Sequence, residues 1–392
     1  SPDTHAMTDA GADTISDSID LGEPDPCTGG SLEAECWTAT VELLPRESFT
    51  AYALAVEDDN LVRIAGRETL YGKRELTRYP DDEQWTLGGW PTPSGVVVDL
   101  GGYLWDPVNG YRMLKRAGSS PDWDWTYKLG DEYVCPNWSR HDWIESLAIT
   151  HDADGRMFTV ADFDGVDDQL EVCVPLPGGG YDSHVVTPHS GSIEADFAIR
   201  VDAEGWPQVL LATSVGLELF TAGDDLDSWS SEVIYEGDGS TPRGRMLFQN
   251  VGETTHVVSL QERYRDSAGP YAEIVYLRLT DDGLEDVRVL VARDADPATN
   301  FDLVLLDFDI DQHGNPVALV AGPLEDGAGH YSVYTYRVLH DSVERSRLVR
   351  TQAASGRTSQ IAFAPDGRVL FLTPEAETFQ TNLHTLRPVE SR

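Results

Sequence analysis

The chain has 392 residues, enough for two or three ordinary domains or for one closed repeat fold. Its 68 Asp and Glu against 28 Lys and Arg give a formal net charge of −40, and a field of this sign repels phosphate backbones, which argues against a nucleic acid partner. No run approaches the roughly 20 apolar residues that span a bilayer, so no membrane span is expected.

Residues 1–35 are expected to form a disordered acidic leader, because they combine many acidic and small residues with no Lys or Arg and cannot bury a core. Within it, residues 1–7 (SPDTHAM) read as a cloning remnant. The leader resembles the spacer behind the lipidated cysteine of bacterial surface lipoproteins, although the chain has no such cysteine. This resemblance implies attachment to a surface.

A turn unit recurs along the chain. Its clearest copies are AITHDADGRMFTV (148–160), IRVDAEGWPQVLL (199–211), FDIDQHGNPVALV (308–320) and IAFAPDGRVLFL (361–372). Weaker copies are LAVEDDNLVRI (54–64), VVVDLGGYLW (96–105) and LFQNVGETTHVV (247–258). The equivalent turn residues are Asn60, Gly102, Gly155, Gly205, Gly252, Gly314 and Gly367. They are on average about 51 residues apart, which is the period of propeller blades.

The residues before each turn predict an inner strand. In six of the seven copies an apolar pair stands six and four positions before the turn residue, such as Ile199 and Val201 or Phe308 and Ile310, while the copy at Gly155 has Ile149 and His151. The period of two is that of a strand packed against a neighbouring sheet. Asp307 and Asp309 take the alternate positions, where we expect them either to line a central channel or to pair with an arginine such as Arg200.

A second landmark, a tryptophan followed by Thr or Ser, opens another strand at Trp85, Trp125 and Trp229, and Trp37-Thr38 matches it. Too few residues follow Gly367 for three more strands, so WTATVELL (37–44) should supply the outer strand of the last blade. The prediction is an all-β, seven-bladed β-propeller of four-stranded antiparallel blades over 36–392, closed by that N-terminal strand. Six blades plus an irregular segment is the alternative.

The cysteines indicate disulfides. None of the four has metal-site spacing: Cys27, Cys36, Cys135 and Cys173. Three pairings are available, and the local one joins Cys27 to Cys36 and Cys135 to Cys173. Disulfides predict an exported protein, in the bacterial periplasm, at the cell surface or outside the cell.

Two groups of residues are candidates for ligand binding. The connection 130–145 concentrates rings and cations on a long loop: Tyr133, Trp138, Arg140, His141 and Trp143. Rings on a surface loop suit stacking on a sugar, although a loop folded over the propeller and held by Cys135 uses them equally well. The second group is a set of arginines suited to carboxylates, unless they pair with the surplus acids: Arg243, Arg245, Arg263 and Arg265.

One acidic stretch suggests calcium. ADFDGVDDQLEV (161–172) is expected between the second and third strands of its blade and carries Asp162, Asp164, Asp167 and Asp168. Several carboxylates around one tight turn suit a hard cation. The stretch resembles the calcium loop of FG-GAP repeats, except that Val166 stands where an oxygen ligand or glycine belongs. A solvated acidic turn is the alternative.

The repeat resembles the BNR and sialidase-like propellers, whose Asp-box reads SxDxGxTW. GDDLDSWS (223–230) comes nearest but lacks the glycine. The resemblance implies the propeller fold, whereas the sialidase arginine triad cannot be carried over because no arginine has its Arg-Ile-Pro context. Motifs such as GxSxG, HExxH and GxGxxG are also absent.

The sequence therefore predicts a monomeric, secreted or surface-attached binding module that recognises a glycan or a protein, without enzymatic activity and with calcium as its one candidate ion. The alternative is a glycan-active enzyme, either a glycoside hydrolase or a polysaccharide lyase.

Overall fold

The computed structural model is all-β. It describes residues 37–45, 49–56, 59–68, 72–89, 113–115, 123–125, 128–129, 132–133, 135, 143–152, 156–164, 169–186, 197–213, 215–236, 245–265, 269–294, 303–323, 331–351, 359–374 and 381–388. Every regular element within these ranges is a strand. None of them contains a helix long and apolar enough to cross a membrane.

Most described strands form sheets of four antiparallel strands, six in the described ranges. Sheet A holds β2 (Phe49–Val56), β3 (Val62–Glu68), β4 (Gly72–Arg78) and β5 (Thr86–Gly89). Sheet B holds β10 (Trp143–His151), β11 (Met157–Asp164), β12 (Gln169–Pro175) and β13 (Tyr181–Val185). Sheet C holds β14 (Phe197–Val201), β15 (Pro207–Thr213), β16 (Gly216–Ala222) and β17 (Trp229–Glu236).

Sheets D to F complete the set. Sheet D holds β18 (Met246–Val251), β19 (Thr254–Arg265), β20 (Gly269–Thr280) and β21 (Gly283–Asp294). Sheet E holds β22 (Val304–Ile310), β23 (Pro316–Pro323), β24 (Tyr331–Val338) and β25 (Val343–Thr351). Sheet F holds β26 (Ile361–Phe363), β27 (Val369–Pro374), β28 (Thr381–Pro388) and β1 (Trp37–Leu43).

The predicted turns join the first two strands of the sheets. Positive φ angles occur at five predicted turn residues: Asn60 (66°), Gly205 (92°), Gly252 (60°), Gly314 (78°) and Gly367 (85°). Glycine tolerates this conformation without strain, and asparagine is the residue that replaces it at lowest cost. Gly102 and Gly155 lie outside the described residues. The recurring turn was therefore predicted correctly wherever the structure describes it.

Consecutive sheets pack face to face through buried apolar clusters. Each cluster contains buried residues of two consecutive sheets, for example Val172 and Val209 (B and C), Leu210 and Val257 (C and D), Ile274 and Val320 (D and E), Leu319 and Phe371 (E and F), and Leu372 and Ile64 (F and A). Both faces of sheets C to F are therefore covered, which explains why neighbouring positions of one strand, such as Ala198 and Ile199, are both buried.

The first and last described strands belong to the same sheet. β1 pairs antiparallel with β28, from Trp37 opposite Pro388 to Leu43 opposite Asn382. Segment 37–44 thus occupies the outer position that the sequence assigns to it. An ion pair between Glu42 of β1 and Arg78 of β4 also joins sheet F to sheet A.

The predicted second blade, 95–129, lies mostly outside the described residues. Two short antiparallel ladders are described near it: β6 (Met113–Lys115) with β7 (Trp123–Trp125), and β8 (Lys128–Leu129) with β9 (Glu132–Tyr133).

Leu383→Ala should destabilise the protein far more than Leu43→Ala on the strand beside it. Leu383 is fully buried between sheets F and A, whereas Leu43 is 46% exposed. Removing a buried leucine side chain costs about 2–5 kcal/mol, while an exposed substitution stays within about 0.5 kcal/mol. Urea unfolding measures both variants, and equal losses would contradict the packing of sheet F on sheet A.

Candidate functional site

Within its described sheet, each first strand pairs with one strand only, and polar side chains of neighbouring sheets bond to its other edge. Each such strand lies beside the first strand of the next sheet: β10 by β14, β14 by β18, β18 by β22, β22 by β26, and β26 by β2. An unpaired backbone group that is buried costs free energy, so it requires a partner from outside its own sheet.

Asn250 links three sheets. Its Nδ2 atom donates to Thr150 Oγ1 of sheet B and to the Ile199 carbonyl of sheet C, at 3.3 Å from the latter. Its Oδ1 atom accepts a hydrogen bond from Thr255 Oγ1 at 2.7 Å within sheet D. The amide is thereby oriented by three partners.

Asp307 and Asp309 take part in the same arrangement. Asp307 Oδ2 accepts from the Ile361 backbone N of sheet F at 2.8 Å, and Asp309 Oδ1 accepts from Gln249 Nε2 of sheet D at 2.9 Å. The pairing of these acids with Arg200 is wrong, because Arg200 instead forms an ion pair with Asp281 in the turn between β20 and β21. Both aspartates are buried. Their role is therefore to join inner strands.

Arg245 serves a similar purpose. Its Nη1 atom donates to the carbonyl oxygens of Leu305 and Leu306, at 3.0 and 2.8 Å. These carbonyls flank the register shift between Leu305 and Asp307, where the pairing of β22 with β23 is interrupted. The guanidinium thus bonds to carbonyls at a β-bulge. Arg243, its predicted companion, lies outside the described residues.

The predicted loop site lies largely outside the described residues, as do Trp138, Arg140 and His141. Tyr133 ends β9 and Trp143 begins β10, and only their backbone is described. Cys135 is described and forms a disulfide with Cys173, with the two Cα atoms 5.9 Å apart. This pair was predicted, whereas Cys27 and Cys36 lie outside the described residues.

The acidic stretch of sheet B differs from its predicted form. Asp162 and Asp164 were expected in the loop between the second and third strands, but β11 continues through Asp164. Asp162 pairs with Leu170 in the ladder to β12. The ladder with β12 therefore extends past Asp162 despite the turn signal of Gly165. Asp167 and Asp168 lie outside the described residues, and the described ranges hold no group of three or more His, Cys, Asp or Glu arranged for a metal ion.

A pocket opens between sheets E and F, at the end of the sheets where first strands turn into second strands. It is a shallow cleft open to solvent, and its volume of about 20 Å³ is little more than one water molecule needs. Two rings line it, those of Trp37 and Phe363, and its polar lining consists of Asp311, Gln312, His313 and Arg368. We call it the seam pocket, because Trp37 comes from the first described strand and Arg368 precedes β27 near the end of the chain.

The two buried polar side chains of the seam pocket are held by neighbours. Arg368 Nε donates to both carboxylate oxygens of Asp366, at 2.9 and 2.7 Å. Asp311 Oδ2 accepts from Arg337 Nε at 2.6 Å. The rotamers are therefore fixed before any ligand arrives, while Gln312 and His313 are exposed at the mouth.

The sequence offered a weak signal for this site. Trp37 was interpreted only as the start of a strand, and the sequence did not single out Arg368. Their proximity depends on the pairing of β1 with β28, which places the two ends of the described chain in one sheet.

Two buried histidines are shifted in pKa but face the core. Burial lowers the pKa of His384 to about 4, and its Nε2 atom lies 2.8 Å from Thr373 Oγ1. Burial, with help from Arg278, lowers the pKa of His256 to about 4. His256 Nδ1 lies 2.8 Å from the Tyr276 hydroxyl, whose pKa burial raises. Both imidazoles are thus neutral at pH 7, as buried groups of the core.

Comparison with known proteins gives loose likenesses only. No protein family model matches the chain, and no curated protein is similar to it in sequence. Among solved structures, the GH43 protein BlXynB mutant from Bacillus licheniformis has 12% identity and a TM-score of 0.35, covering 79% of this chain. The chain spans 56% of that protein, little more than half its length.

Two other solved structures match over more of their length. A protein of unknown function from Dyadobacter fermentans has 11% identity and a TM-score of 0.42, with 89% of this chain and 99% of that one covered. An ulvan lyase of family PL25, bound to a saccharide, has 7% identity and a TM-score of 0.38, with 86% and 82% covered. Overlaps this loose carry no argument for a blade number or an activity.

Acid should destabilise the protein partly through the buried histidines His256 and His384. The unfolded chain binds protons at His near pH 6.5, and the folded chain binds them at these two histidines only near pH 4. Their contribution to stability is therefore complete above pH 6.5 and is lost as the pH falls from 6.5 towards 4. Each histidine contributes a loss of about 2 kcal/mol between pH 7 and pH 5.

His384→Gln should therefore shrink the difference in unfolding free energy between pH 7 and pH 5, measured in urea. His340→Gln is the control, since the His340 side chain is 93% exposed. An unchanged pH dependence in His384→Gln would show that His384 does not remain neutral in the folded protein.

Proposed function

We propose that the chain forms a seven-bladed β-propeller. Six four-stranded sheets follow one another through five apolar interfaces, from sheet B round to sheet A. The one junction without a described interface is that of A with B, and residues 90–142 separate these sheets in the chain. That stretch is about one repeat long and supports a seventh blade between them.

We propose that the protein is exported, to the periplasm, the cell surface or the medium. The Cys135–Cys173 disulfide supports this setting, because such bonds persist under oxidising conditions. The acidic leader then acts as a spacer that attaches the propeller to a surface.

We propose a binding module that recognises a glycan without cleaving it. The single observation that carries this proposal is the seam pocket. Its rings, Trp37 and Phe363, stand beside hydrogen-bonding groups held at fixed positions. Binding sites for small ligands combine an apolar wall with a few oriented polar groups in this way, and tryptophan adds a polar N–H to a large apolar face.

We also propose a second binding surface at the end of the sheets opposite the seam pocket, where one sheet connects to the next. Tyr133, Trp138 and Trp143, together with Arg140 and His141, belong to it by sequence. Calcium at Asp162, Asp164, Asp167 and Asp168 would act there by ordering the acidic stretch of sheet B, and no other cofactor is proposed.

A glycan-active enzyme is the second candidate. It is the alternative that the sequence leaves open, so cleavage is measured alongside binding. Catalysis would need an acid and a base that converge on one bound atom. Among the described histidines, His256 and His384 are buried in the core and do not meet this need.

A glycan array at millimolar calcium, with and without chelator, tests ligand class and metal requirement together. Wild-type protein should bind one family of glycans, and Trp37→Ala should weaken that binding roughly ten-fold or more, because the variant removes the larger ring of the pocket. Loss of binding on chelation would assign calcium a role.

Trp229→Ala is the matched control. Trp229 opens β17 as Trp37 opens β1, and it is partly buried against its own cluster, away from the seam pocket. Equal loss of binding in both variants would contradict a site at Trp37. A reducing-end assay on the bound glycan distinguishes the two candidate functions. Release of new reducing ends over time would show that the protein is a glycan-active enzyme and not only a binding module.

A further inference from the structure

The outer edge of sheet F differs from those of sheets C, D and E. β1 pairs with β28 residue for residue, from Trp37 to Leu43. The longer outer strands β17, β21 and β25 are instead interrupted by bulges, with Ile234, Leu290 and Leu348 as extra residues. A bulge twists an edge strand away from any strand that could pair with it. Among the described outer strands of the four-stranded sheets, β1 is therefore the longest whose edge has no such protection.

One face of β1 is apolar and only partly covered. Alternation along the strand places Trp37, Ala39, Val41 and Leu43 on this face. Trp37 packs against the cluster between sheets E and F, whereas Val41 is 59% and Leu43 46% exposed. The one charged residue of the strand, Glu42, is engaged in its ion pair with sheet A. A regular, apolar and exposed edge strand is a template for pairing with another chain.

The strand is complementary to a second copy of itself. Antiparallel pairing about a two-fold axis at Thr40, the middle residue of the strand, overlaps all seven residues of both copies. The opposed pairs, one residue from each copy, are then Val41 with Ala39, Leu43 with Trp37, and Glu42 with Thr38. Apolar residues thus meet apolar residues, and no like charges stand opposite each other. Because both copies use the same strand, the association closes as a dimer.

We propose that two copies of the protein associate through β1, so that sheet F of one copy continues into sheet F of the other. The new pair extends the ladder that β1 already forms with β28. A single seven-residue strand pair is a small contact compared with the roughly 1,200–2,000 Å² that stable interfaces bury, so the dimer is weak. The formal net charge of −40 on each copy opposes association further, and salt screens this repulsion. The protein is then a monomer when dilute, as the sequence predicts, and a dimer when concentrated in salt.

Sedimentation equilibrium of the full chain, over protein concentrations up to roughly 1 mM, tests the proposal. In roughly 1 M NaCl, where charges are screened within about 3 Å, the average mass of the wild type should rise with concentration from that of the monomer towards that of the dimer. The dimer Kd should be several-fold higher in about 0.1 M NaCl. A mass that stays at the monomer value in both salts would overturn the proposal, and so would growth beyond the dimer.

Val41→Lys should raise the dimer Kd at least roughly ten-fold, because a lysine on an edge strand opposes pairing with another strand. Since Val41 is 59% exposed, the variant should unfold in urea at the wild-type midpoint. Val289→Lys is the matched control: Val289 is 48% exposed on the outer strand β21, beside the bulge at Leu290, and this variant should dimerise like the wild type. If the two variants dimerise equally well, β1 is not the interface.

Cysteine cross-linking tests the register, and it decides the matter if Val41→Lys fails to fold. Residues directly opposite in an antiparallel pair have Cα atoms about 4.5–5.5 Å apart, a distance that a disulfide spans. Thr40 lies opposite its own copy on the two-fold axis, so Thr40→Cys should form an intermolecular disulfide on oxidation, with oxidised wild type as the blank. Thr38→Cys, opposite Glu42, should not. Cross-linking of both variants to the same extent, or of neither, would overturn the two-fold pairing.

Discussion

The constraint on which this architecture depends is the backbone edge of each first strand that no other strand of its described sheet pairs with. A sheet of four strands has two edges, and here the first strand of one sheet lies beside the first strand of the next. Buried backbone groups at that edge need hydrogen-bond partners. Asn250, Gln249 and Asp307 supply them, each from one sheet to the backbone of another. Apolar packing stabilises the contacts between sheets, and these hydrogen bonds fix the positions of the first strands relative to one another.

Much of the fold follows from local patterns. The turn residues were predictable because a hairpin that demands a positive φ selects Gly or Asn, as at Gly314 and Asn60. The position of segment 37–44 followed from counting strands. The partners of Asp307 and Arg200 could not be predicted from the sequence. An aspartate that accepts from a backbone N–H looks the same in the sequence as one that pairs with an arginine. The length of β11 was misjudged because Asp162 and Gly165 are typical turn residues, and the pairing of Asp162 with Leu170 of β12 leaves no mark in the local sequence.

The candidate site was harder to predict than the fold. Trp37 and Arg368 are separated by most of the chain, and only the pairing of β1 with β28 brings them to one pocket. The sequence singled out loop residues such as Trp138, where rings and cations are close in the chain. A site that combines the two ends of the described chain leaves no such local signal.

Amide hydrogen exchange at Ile361 tests the central claim most directly. Its N–H donates to Asp307 Oδ2 of the neighbouring sheet, so it is not available to the ladder with β27. The account predicts slow exchange at Ile361 in the wild type and much faster exchange in Asp307→Ala, with the amides of the outer strand β25 unchanged. Fast exchange at Ile361 in the wild type, or no change in the variant, would contradict the claim that side chains of one sheet satisfy the inner edge of the next.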